Sequence, residues 1–584
     1  MARRSWSVVI ALVSACGDGV AATGSTSTSA GGSTVGSEGS SGETGVAPTS
    51  STGTSTGSQG MTEAATTGSA TTGTTEAPGE TSSGEPGSSG EPASTSSTGG
   101  DTTGETGSTG EMPVCLAPVE SAGGVVNFGG PGTEFTSAFA IGPDGGRYSG
   151  GAFSGNVDLK PGGGAGFVQQ GKGQNMWLSK LSADGDYLYG YAWATSLGGA
   201  CSVQGALADA DGGVYVIGHF LNDIDLDPGP GVDMHSVGEE PGARGAYLLR
   251  LGPAGEYLWG RSWGPTVLAF GLGRSDDGSV FVSGYFRGAV DFDPGPGVDA
   301  QEATKFVGGA STFLSRFDAD GNYLWGRSWG DGGSVYGFHL AVDAAGNAVV
   351  GGRVQNTADL DPGPIVQLHE TQGAADFQVS RFMADGSLVF AIGLGGGGYE
   401  NAQGVDVAPD GHVWVLGDSN GAVVDVDPGV GETLVINPGT GYQNFAARYD
   451  EAGAFVQVLS FTGQDGLRAI ACDCDGQLYL GGNFEGEVDL DPGPGVAMHV
   501  SAGHVDAFTV ALDAAGAYRW SRSWPNLEFS GTSDLVLDGD RMLHAQIDFV
   551  GTIDADGGPG ELLIPSAGNQ DVMLQRLRPS DGAW

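Results

Sequence analysis

A short acidic phrase recurs through the C-terminal part of the chain and constrains the fold more than any other feature. In its clearest form it reads VDFDPGPGV, at Val290–Val298. The phrase or a relative of it begins at seven aspartates spaced 64 to 68 residues apart: Asp158, Asp225, Asp291, Asp359, Asp425, Asp489 and Asp554. A period of this length predicts a repeat architecture, in which each unit packs against its neighbours.

Each repeat unit reads as four short strands. Two other phrases recur with the same period as the acidic one, and their typical forms are ADGNYLWG and DGSVFVSG. Asp-Gly and Ala-Gly turns between short apolar runs indicate hairpins, and no long segment with a 3.6-residue period competes with them. Seven such units predict an all-β fold, a seven-bladed β-propeller of four-stranded blades, over residues 113–584.

The two ends of the repeat region complement each other. The last copy stops at Trp584, inside what would be its outermost strand. The missing part of that strand, GVVNFGG, occurs at Gly124–Gly130, and its Phe128 aligns with Trp329 of the third copy. We therefore predict that the N-terminal strand completes the last blade, because a closed ring has no free sheet edge.

The first 16 residues have the features of an export signal. Arg3 and Arg4 precede an apolar run that is too short to span a bilayer. The sequence VSAC, ending at Cys16, resembles the lipobox of bacterial lipoproteins and predicts that Cys16 is lipidated. The alternative is ordinary signal cleavage near Ala21 or Ala22.

Residues 17–112 form a Ser/Thr/Gly-rich segment that differs from the rest of the chain. No aromatic residue occurs between Trp6 and Phe128. Such a segment cannot bury enough apolar surface to offset its chain entropy, so we predict a disordered linker. An anchor, a linker and a folded domain predict an exported protein of the bacterial cell envelope, an outer-membrane or surface lipoprotein that contacts the membrane only through its lipid.

The repeat resembles a known family. The pattern of its phrases, from about Gly123 to Trp584, is similar to the bacterial seven-bladed beta-propeller repeat family of secreted and surface proteins. Members commonly carry Ser/Thr-x-Asp-Phe-Pro-Thr in the insertion, whereas this chain carries VDFDPGPG and would be a divergent branch. The resemblance implies the fold but no particular activity, because propellers host enzymes and binding modules alike.

The repeated acidic phrase has two interpretations. Two carboxylates on one side of an extended segment, next to backbone carbonyls, suit Ca²⁺. The intact pairs, which are the candidate metal ligands, are Asp225 and Asp227, Asp291 and Asp293, Asp359 and Asp361, Asp425 and Asp427, and Asp489 and Asp491. In the alternative, Asp-Pro-Gly is only a turn, since Asp bonds its own backbone and Pro fixes φ.

Other candidate sites are weaker. Trp259, Arg261 and Trp263 alternate onto one face of an outer strand and could bind a sugar, but other copies carry Tyr, Ile or Leu there, which favours packing between blades. The eight histidines lack zinc-site spacing. His339 and Arg468, on predicted inner strands, are the only hints of a site in the central channel. No catalytic or cofactor-binding residue is predicted.

The five cysteines allow one disulfide hypothesis. Cys115 precedes the closing strand, and Cys474 lies in a turn of the neighbouring sixth unit. A bond between them would tie the linker to the ring, although Cys201 and Cys472 compete for the same role. An exported protein permits such bonds.

Charge and architecture together favour a binding protein. The net charge of -46 argues against a nucleic-acid partner, whose phosphates require basic residues. We predict a monomeric binding, adhesion or scaffold module for a protein, a glycan or a cationic surface. The alternatives are an enzyme, a lyase or hydrolase with its site in the central channel, and a purely structural envelope protein.

Overall fold

The computed structural model describes residues 124–128, 133–160, 168–193, 195, 200–238, 243–305, 308–437, 439, 441–461, 466–558 and 560–584. All of them belong to the second of two compact units, Glu105–Trp584. The predicted signal peptide with Cys16, the predicted linker 17–112 and Cys115 lie outside the described residues. In the described ranges, no helix has the length and apolar character needed to cross a membrane.

Seven antiparallel four-stranded sheets form the blades. The first strand in the chain, β1 (Val125–Phe128), belongs to blade 7. The other blade strands, from the inner to the outer edge, are β2 Thr133–Ile141, β3 Arg147–Asp158, β4 Val168–Leu181 and β5 Tyr187–Trp193 in blade 1; β6 Cys201–Ala208, β7 Val214–Leu221, β10 Arg244–Leu251 and β11 Tyr257–Trp263 in blade 2; β12 Val267–Arg274, β13 Val280–Phe286, β16 Ser311–Phe317 and β17 Tyr323–Trp329 in blade 3; β18 Ser334–Val342, β19 Ala348–Gln355, β22 Asp376–Phe382 and β23 Leu388–Leu394 in blade 4; β24 Glu400–Val407, β25 Val413–Ser419, β28 Gln443–Tyr449 and β29 Phe455–Phe461 in blade 5; β30 Gly466–Cys472, β31 Leu478–Phe484, β34 Asp506–Leu512 and β35 Tyr518–Trp524 in blade 6; and β36 Phe529–Leu537, β37 Leu543–Val550 and β40 Asp571–Leu577 in blade 7.

Blades 2 to 7 each carry a small extra hairpin between the second and third strands. The hairpins are β8 Asp223–Asp225 with β9 Met234–Ser236, β14 Ala289–Asp291 with β15 Ala300–Glu302, β20 Thr357–Asp359 with β21 Leu368–Glu370, β26 Val423–Asp425 with β27 Leu434–Ile436, β32 Glu487–Asp489 with β33 Met498–Val500, and β38 Thr552–Asp554 with β39 Leu563–Pro565. The repeated acidic phrase therefore forms the turn of each of these hairpins.

The first strands of the blades form the inner ring. Each contacts the first strand of the next blade, and β36 of blade 7 contacts β2 of blade 1. The core lies between adjacent blades, as where Trp263 of blade 2 stacks on Phe317 of blade 3 with ring centroids 5.5 Å apart. The predicted all-β seven-bladed propeller is confirmed.

The ring is closed by the N-terminal strand. β1 pairs antiparallel with β40, and Phe128 lies opposite Val572. In blade 3, Trp329 lies opposite Thr312, the residue equivalent to Val572, so the predicted alignment of Phe128 with Trp329 is confirmed in register. Val126 faces the core and is 9% exposed.

A basic residue on the third strand joins neighbouring blades in most of the ring. Arg250 of blade 2 places Nη2 2.8 Å from Asp209 Oδ2 of its own blade and donates from Nη1 to the carbonyl of Ala319 in blade 3, at 2.9 Å. Lys180 of blade 1 makes the equivalent contact with the carbonyl of Pro253 in blade 2, at 3.2 Å, and also donates to the carbonyl of Gly212 at 2.9 Å. These contacts combine a largely buried charge with backbone acceptors, which are the stronger kind of hydrogen bond.

The tryptophan and arginine stripe on the outer strands also packs between blades. Arg261 Nε donates to the carbonyl of Gly321 in the next blade at 3.0 Å, and its guanidinium stacks 5.1 Å from the Trp259 ring centroid. Arg327 repeats this contact with Gly386 and Trp325. The packing interpretation is therefore confirmed.

The cysteines agree with part of the disulfide hypothesis. Cys474 is disulfide-bonded, whereas Cys201 and Cys472 are free. Cys115, its predicted partner, lies outside the described residues, so that pairing stays a prediction.

The closing strand gives a direct test of the ring. A chain that begins after residue 130 lacks β1 and leaves β40 as an open edge, so we expect its melting temperature to fall by at least about 5 °C. A chain that begins at residue 113 retains β1 and should melt as the full chain does. Differential scanning calorimetry in reducing buffer, which removes the contribution of any Cys115–Cys474 bond, would measure both chains. Equal melting temperatures for the two truncations would contradict the closure.

Candidate functional site

The acidic phrase is held by its own backbone. In blade 6, Asp489 Oδ1 accepts hydrogen bonds from the backbone N–H groups of Asp491 at 3.1 Å and Ala497 at 2.8 Å. Asp491 Oδ1 accepts from the N–H of Gly493 at 2.8 Å. The same pattern recurs at the pairs beginning with Asp225, Asp291, Asp359 and Asp425. The turn interpretation accounts for these aspartates without a metal.

The five aspartate pairs remain separate. Each pair occupies the hairpin of its own blade, and the described residues contain no group of three or more His, Cys, Asp or Glu side chains arranged to hold a metal ion. Ca²⁺ takes 6–8 oxygen ligands, so a pair would need backbone carbonyls to complete its shell. Calcium binding by these pairs stays a prediction.

The hairpins pack over the outer half of their own blades. In blade 3, Phe292 contacts Phe313 on the third strand with ring centroids 4.8 Å apart, and Gln301 accepts from Ser328 on the fourth strand at 3.1 Å. In blade 6, His499 contacts Ser521 and Ser523 of the fourth strand in the same way. The acidic turns therefore lie away from the channel, and the candidate site must be sought on the inner strands.

Every inner strand contains one extra residue at the same place. In each blade the pairing between the first and second strands shifts by one residue, which defines a β-bulge. We call the seven extra residues the bulge ring; they are Ser137, Gln204, Phe270, Phe338, Gln403, Arg468 and Ser533. Bulges re-aim a side chain and are frequent next to functional sites.

Most of the bulge ring lines a cavity at the centre of the propeller. The cavity has a volume of about 270 Å³, and the bulge residues of blades 1 to 6 are part of its wall. His339 and Asp534, each directly after a bulge residue, line it as well. The structure thus brings His339 and Arg468, the two sequence hints, into one cavity.

The second strand of each blade supplies a residue behind the bulge. We call these residues the supporting ring. Each one pairs with the first-strand residue that lies two positions before the bulge residue, and they are Ala152, His219, Tyr285, Arg353, Asp418, Asn483 and Asp548. These positions lie at the end of the propeller from which the hairpins emerge. Unlike the packing positions, they differ in chemistry from blade to blade.

In blades 3 and 4 the contact between the two rings is aromatic. Phe270 stacks on Tyr285 with centroids 5.8 Å apart, and Phe338 lies under the Arg353 guanidinium at 5.1 Å. Phe270 and Phe338 also meet edge to face at 5.5 Å. These rings form a continuous apolar arc on one side of the channel.

In blades 5 and 6 the contact is a hydrogen bond. Gln403 Nε2 donates to Asp418 Oδ2 at 2.9 Å, and Arg468 Nε donates to Asn483 Oδ1 at 3.0 Å. In each of these two blades, the side chain on the second strand fixes the orientation of the bulge side chain that it contacts.

Polar side chains also line the channel in blades 7, 1 and 2. Asp548 of blade 7 accepts from Thr136 Oγ1 of blade 1 at 2.6 Å. The nearby Ser533 acts to lower the pKa of the Asp548 carboxyl, while its hydroxyl donates to the carbonyl of Gln546 at 3.3 Å. In blade 2, Gln204 Nε2 donates to Ser202 Oγ at 2.9 Å. Polar side chains therefore follow the channel wall from blade 5 round to blade 2.

Burial alters the titration of the channel groups. It raises the pKa of Asp418 and of Asp548 to about 6, against the opposing effect of Arg468 between them. Burial lowers the pKa of Arg468, while Asp548 and Asp418 act to raise it. Asp534 is raised to a pKa of about 7 and His339 is lowered to a pKa of about 4, both by burial.

Comparison with known proteins adds little at the level of function. No family model matches the chain. It is 28% identical over 308 residues to the regulatory protein FlaEY of Caulobacter vibrioides, covering 49% of this chain and 30% of that protein. The chain therefore spans less than a third of the length of this relative.

Two solved structures are distantly similar in shape. The WD40 domain of Neurospora crassa Pan2 matches with a TM-score of 0.36 and 7% identity, over 79% of this chain and 97% of that domain. A chimera of ACO and RPE65 matches with a TM-score of 0.32 and 10% identity, over 81% of this chain and 93% of that one. Neither similarity carries an argument about the channel.

The turn interpretation predicts how Asp489 tolerates substitution. Asp489→Asn retains an oxygen that accepts both backbone hydrogen bonds, so in EDTA its stability should stay within about 0.5 kcal/mol of the native chain. Asp489→Ala loses both acceptors and should cost about 1–2 kcal/mol. Denaturant unfolding would measure both, and an equal loss in the two variants would contradict the turn.

The calcium prediction can be tested by thermal unfolding. If the pairs bind Ca²⁺, about 1–5 mM calcium should raise the melting temperature above that in EDTA, by mass action. Replacing Asp291 and Asp293 together by Asn should then reduce the rise. A melting temperature that is independent of calcium would leave the phrase as a turn alone.

Proposed function

We propose that the chain is an envelope-displayed binding module whose ligand site is the bulge ring, entered from the end of the channel where the hairpins emerge. One observation carries this proposal. The seven bulge positions carry four residue types (serine, glutamine, phenylalanine and arginine), and the seven positions behind them carry six. In most blades the two members of a pair contact each other.

Repetition elsewhere makes this difference informative. The buried packing positions of the second strand are apolar in nearly every blade, as at Val282, Val350, Val415 and Leu480. A residue needed only for packing would repeat in the same way. Side chains of different chemistry around one cavity can contact different faces of the same ligand.

Acid–base catalysis is the second candidate, favoured by the titration of the channel carboxyls. Asp418 and Asp548 have pKa values of about 6 and Asp534 of about 7. Carboxyls with raised pKa in a cleft suit proton transfer near neutral pH. A lyase or hydrolase acting in the channel would use this same site.

Display at the envelope rests on the N-terminal sequence. Cys16→Ser should release the chain from the membrane fraction into the soluble fraction, because the acyl chains on Cys16 would supply the anchoring energy. Fractionation after labelling with a radioactive fatty acid would measure this. Ser14→Ala is the neighbouring control, and retention of the Cys16→Ser chain on membranes would contradict the anchor.

A residue that is retained for ligand binding can lower the stability of the folded protein, and Asp548 allows this to be tested. Burial raises the pKa of Asp548 from 3.8 to about 6, so the folded state binds its proton more tightly than the unfolded state. As pH rises from about 4 to about 6, ionisation favours the unfolded state, and above that window the cost is fully present. Asp548→Asn should therefore stabilise the chain by about 1–2 kcal/mol near pH 8 and by less near pH 4.

Asp450→Asn is the matched control for this substitution. Asp450 lies in an exposed turn where its oxygen accepts from two backbone N–H groups, which Asn can replace. Urea unfolding near pH 4 and pH 8 would compare the three chains. Stabilisation by Asp548→Asn alone indicates a residue kept for a ligand at a cost in stability. A loss of stability at both pH values would make the network structural and overturn the proposal.

A further inference from the structure

The bulge ring is divided into two unlike arcs. Blades 3 and 4 present the half-buried rings of Phe270 and Phe338, which touch edge to face. The remaining blades present hydroxyl, amide and guanidinium groups. A ligand that fills this cavity must therefore be apolar on one side and rich in hydrogen-bonding groups on the other.

Polar atoms on the second arc remain available for a ligand. Arg468 donates to Asn483 through Nε, and its terminal nitrogens donate to no residue in the described part of the chain. Asp418 Oδ1 is buried and receives no hydrogen bond from the described residues, although Oδ2 accepts from Gln403. A guanidinium fork and planar amide groups suit neighbouring hydroxyls, which they bind through paired hydrogen bonds.

The charges around the cavity offset one another. Arg353 and Arg468 are cationic, and Asp418 and Asp548 stand beside Arg468. Asp534 also lines the cavity, but burial raises its pKa to about 7, so it is only partly ionised near neutral pH. An anionic ligand would meet these carboxylates in a chain of net charge -46, and a cation would meet the two arginines. The balance favours a neutral ligand, recognised by hydrogen bonds and by contact with the aromatic arc.

We propose, on the basis of the proposed function, that the bulge ring binds a neutral saccharide. The C–H face of one sugar ring lies against Phe270 and Phe338, where the negative face of the aromatic ring attracts weakly positive hydrogens. Its hydroxyls face Gln403, Arg468 and Gln204. The cavity of about 270 Å³ is at the small end of ligand pockets, so it receives a single sugar ring, free or at the end of a chain.

Isothermal titration of the full chain would test this with defined probes. The probes are glucose, galactose, mannose and N-acetylglucosamine with their disaccharides, and glucuronic acid and glucosamine as charged analogues. We expect at least one neutral sugar to bind, and the charged analogue of that sugar to bind at least about tenfold more weakly.

Two variants would assign the binding to the bulge ring. Phe338→Leu keeps an apolar side chain but removes the aromatic face, and Arg468→Gln removes the guanidinium fork. Each should weaken sugar binding at least about tenfold. The controls are Phe455→Leu and Arg327→Gln, the same changes on outer strands, and they should change the affinity by less than about twofold.

The outcomes separate this inference from the proposed function. If no neutral sugar binds at about 10 mM while Asp548→Asn stabilises the chain, the assignment of a saccharide as the ligand is wrong, but the proposal of a ligand site at the bulge ring is retained. If Asp548→Asn destabilises the chain at both pH values, the ligand site itself falls. Preference for a charged analogue, or equal weakening by the outer-strand controls, would also overturn the saccharide assignment.

Discussion

The hydrogen-bonded pairing of β1 with β40 holds the rest of the structure in place. Without it, blade 7 would have three strands, and blades 7 and 1 would meet through side-chain contacts alone. Joining the two ends of a long chain costs little more entropy than joining those of a shorter one, because the closure cost grows logarithmically. Blades 7 and 1 are also joined beside the channel, where Thr136 of blade 1 donates a hydrogen bond to Asp548 of blade 7.

The bulges follow from the close approach of the two innermost strands. An extra residue in the first strand presses a backbone carbonyl against the second strand. In blade 3, a Cβ added to Gly284 would lie 1.9 Å from the carbonyl oxygen of Leu268, and in blade 4 a Cβ on Gly352 would lie 1.8 Å from that of Tyr336. Glycine is therefore required there, and the residue that follows it, Tyr285 or Arg353, belongs to the supporting ring. The glycine shapes the backbone, and its neighbour carries the chemistry.

The fold could be predicted from the sequence because turns, period and chain ends all agreed. The candidate site could not, for two physical reasons. A bulge breaks the alternation of side chains on the inner strand, so that the extra residue beside His339 is Phe338, which reads as an ordinary core residue. The acidic phrase, in contrast, attracted a metal hypothesis although its carboxylates already serve the turn. A usable signal existed in the varied residue after the repeated glycine, as in VIGHF, VSGYF and LGDS.

Repetition and function place opposite demands on this chain. Seven identical pairs around the channel would give a wall of sevenfold symmetry, suited to an object centred on the axis. Here the aromatic arc of blades 3 and 4 faces a polar arc that includes Arg468, so a ligand gains most by lying off the axis with one orientation. Blade-to-blade packing and the basic residues of the third strands stabilise the ring at positions other than the bulges. The positions around the bulges can therefore differ from blade to blade, and recognition can arise from the differences between the repeats.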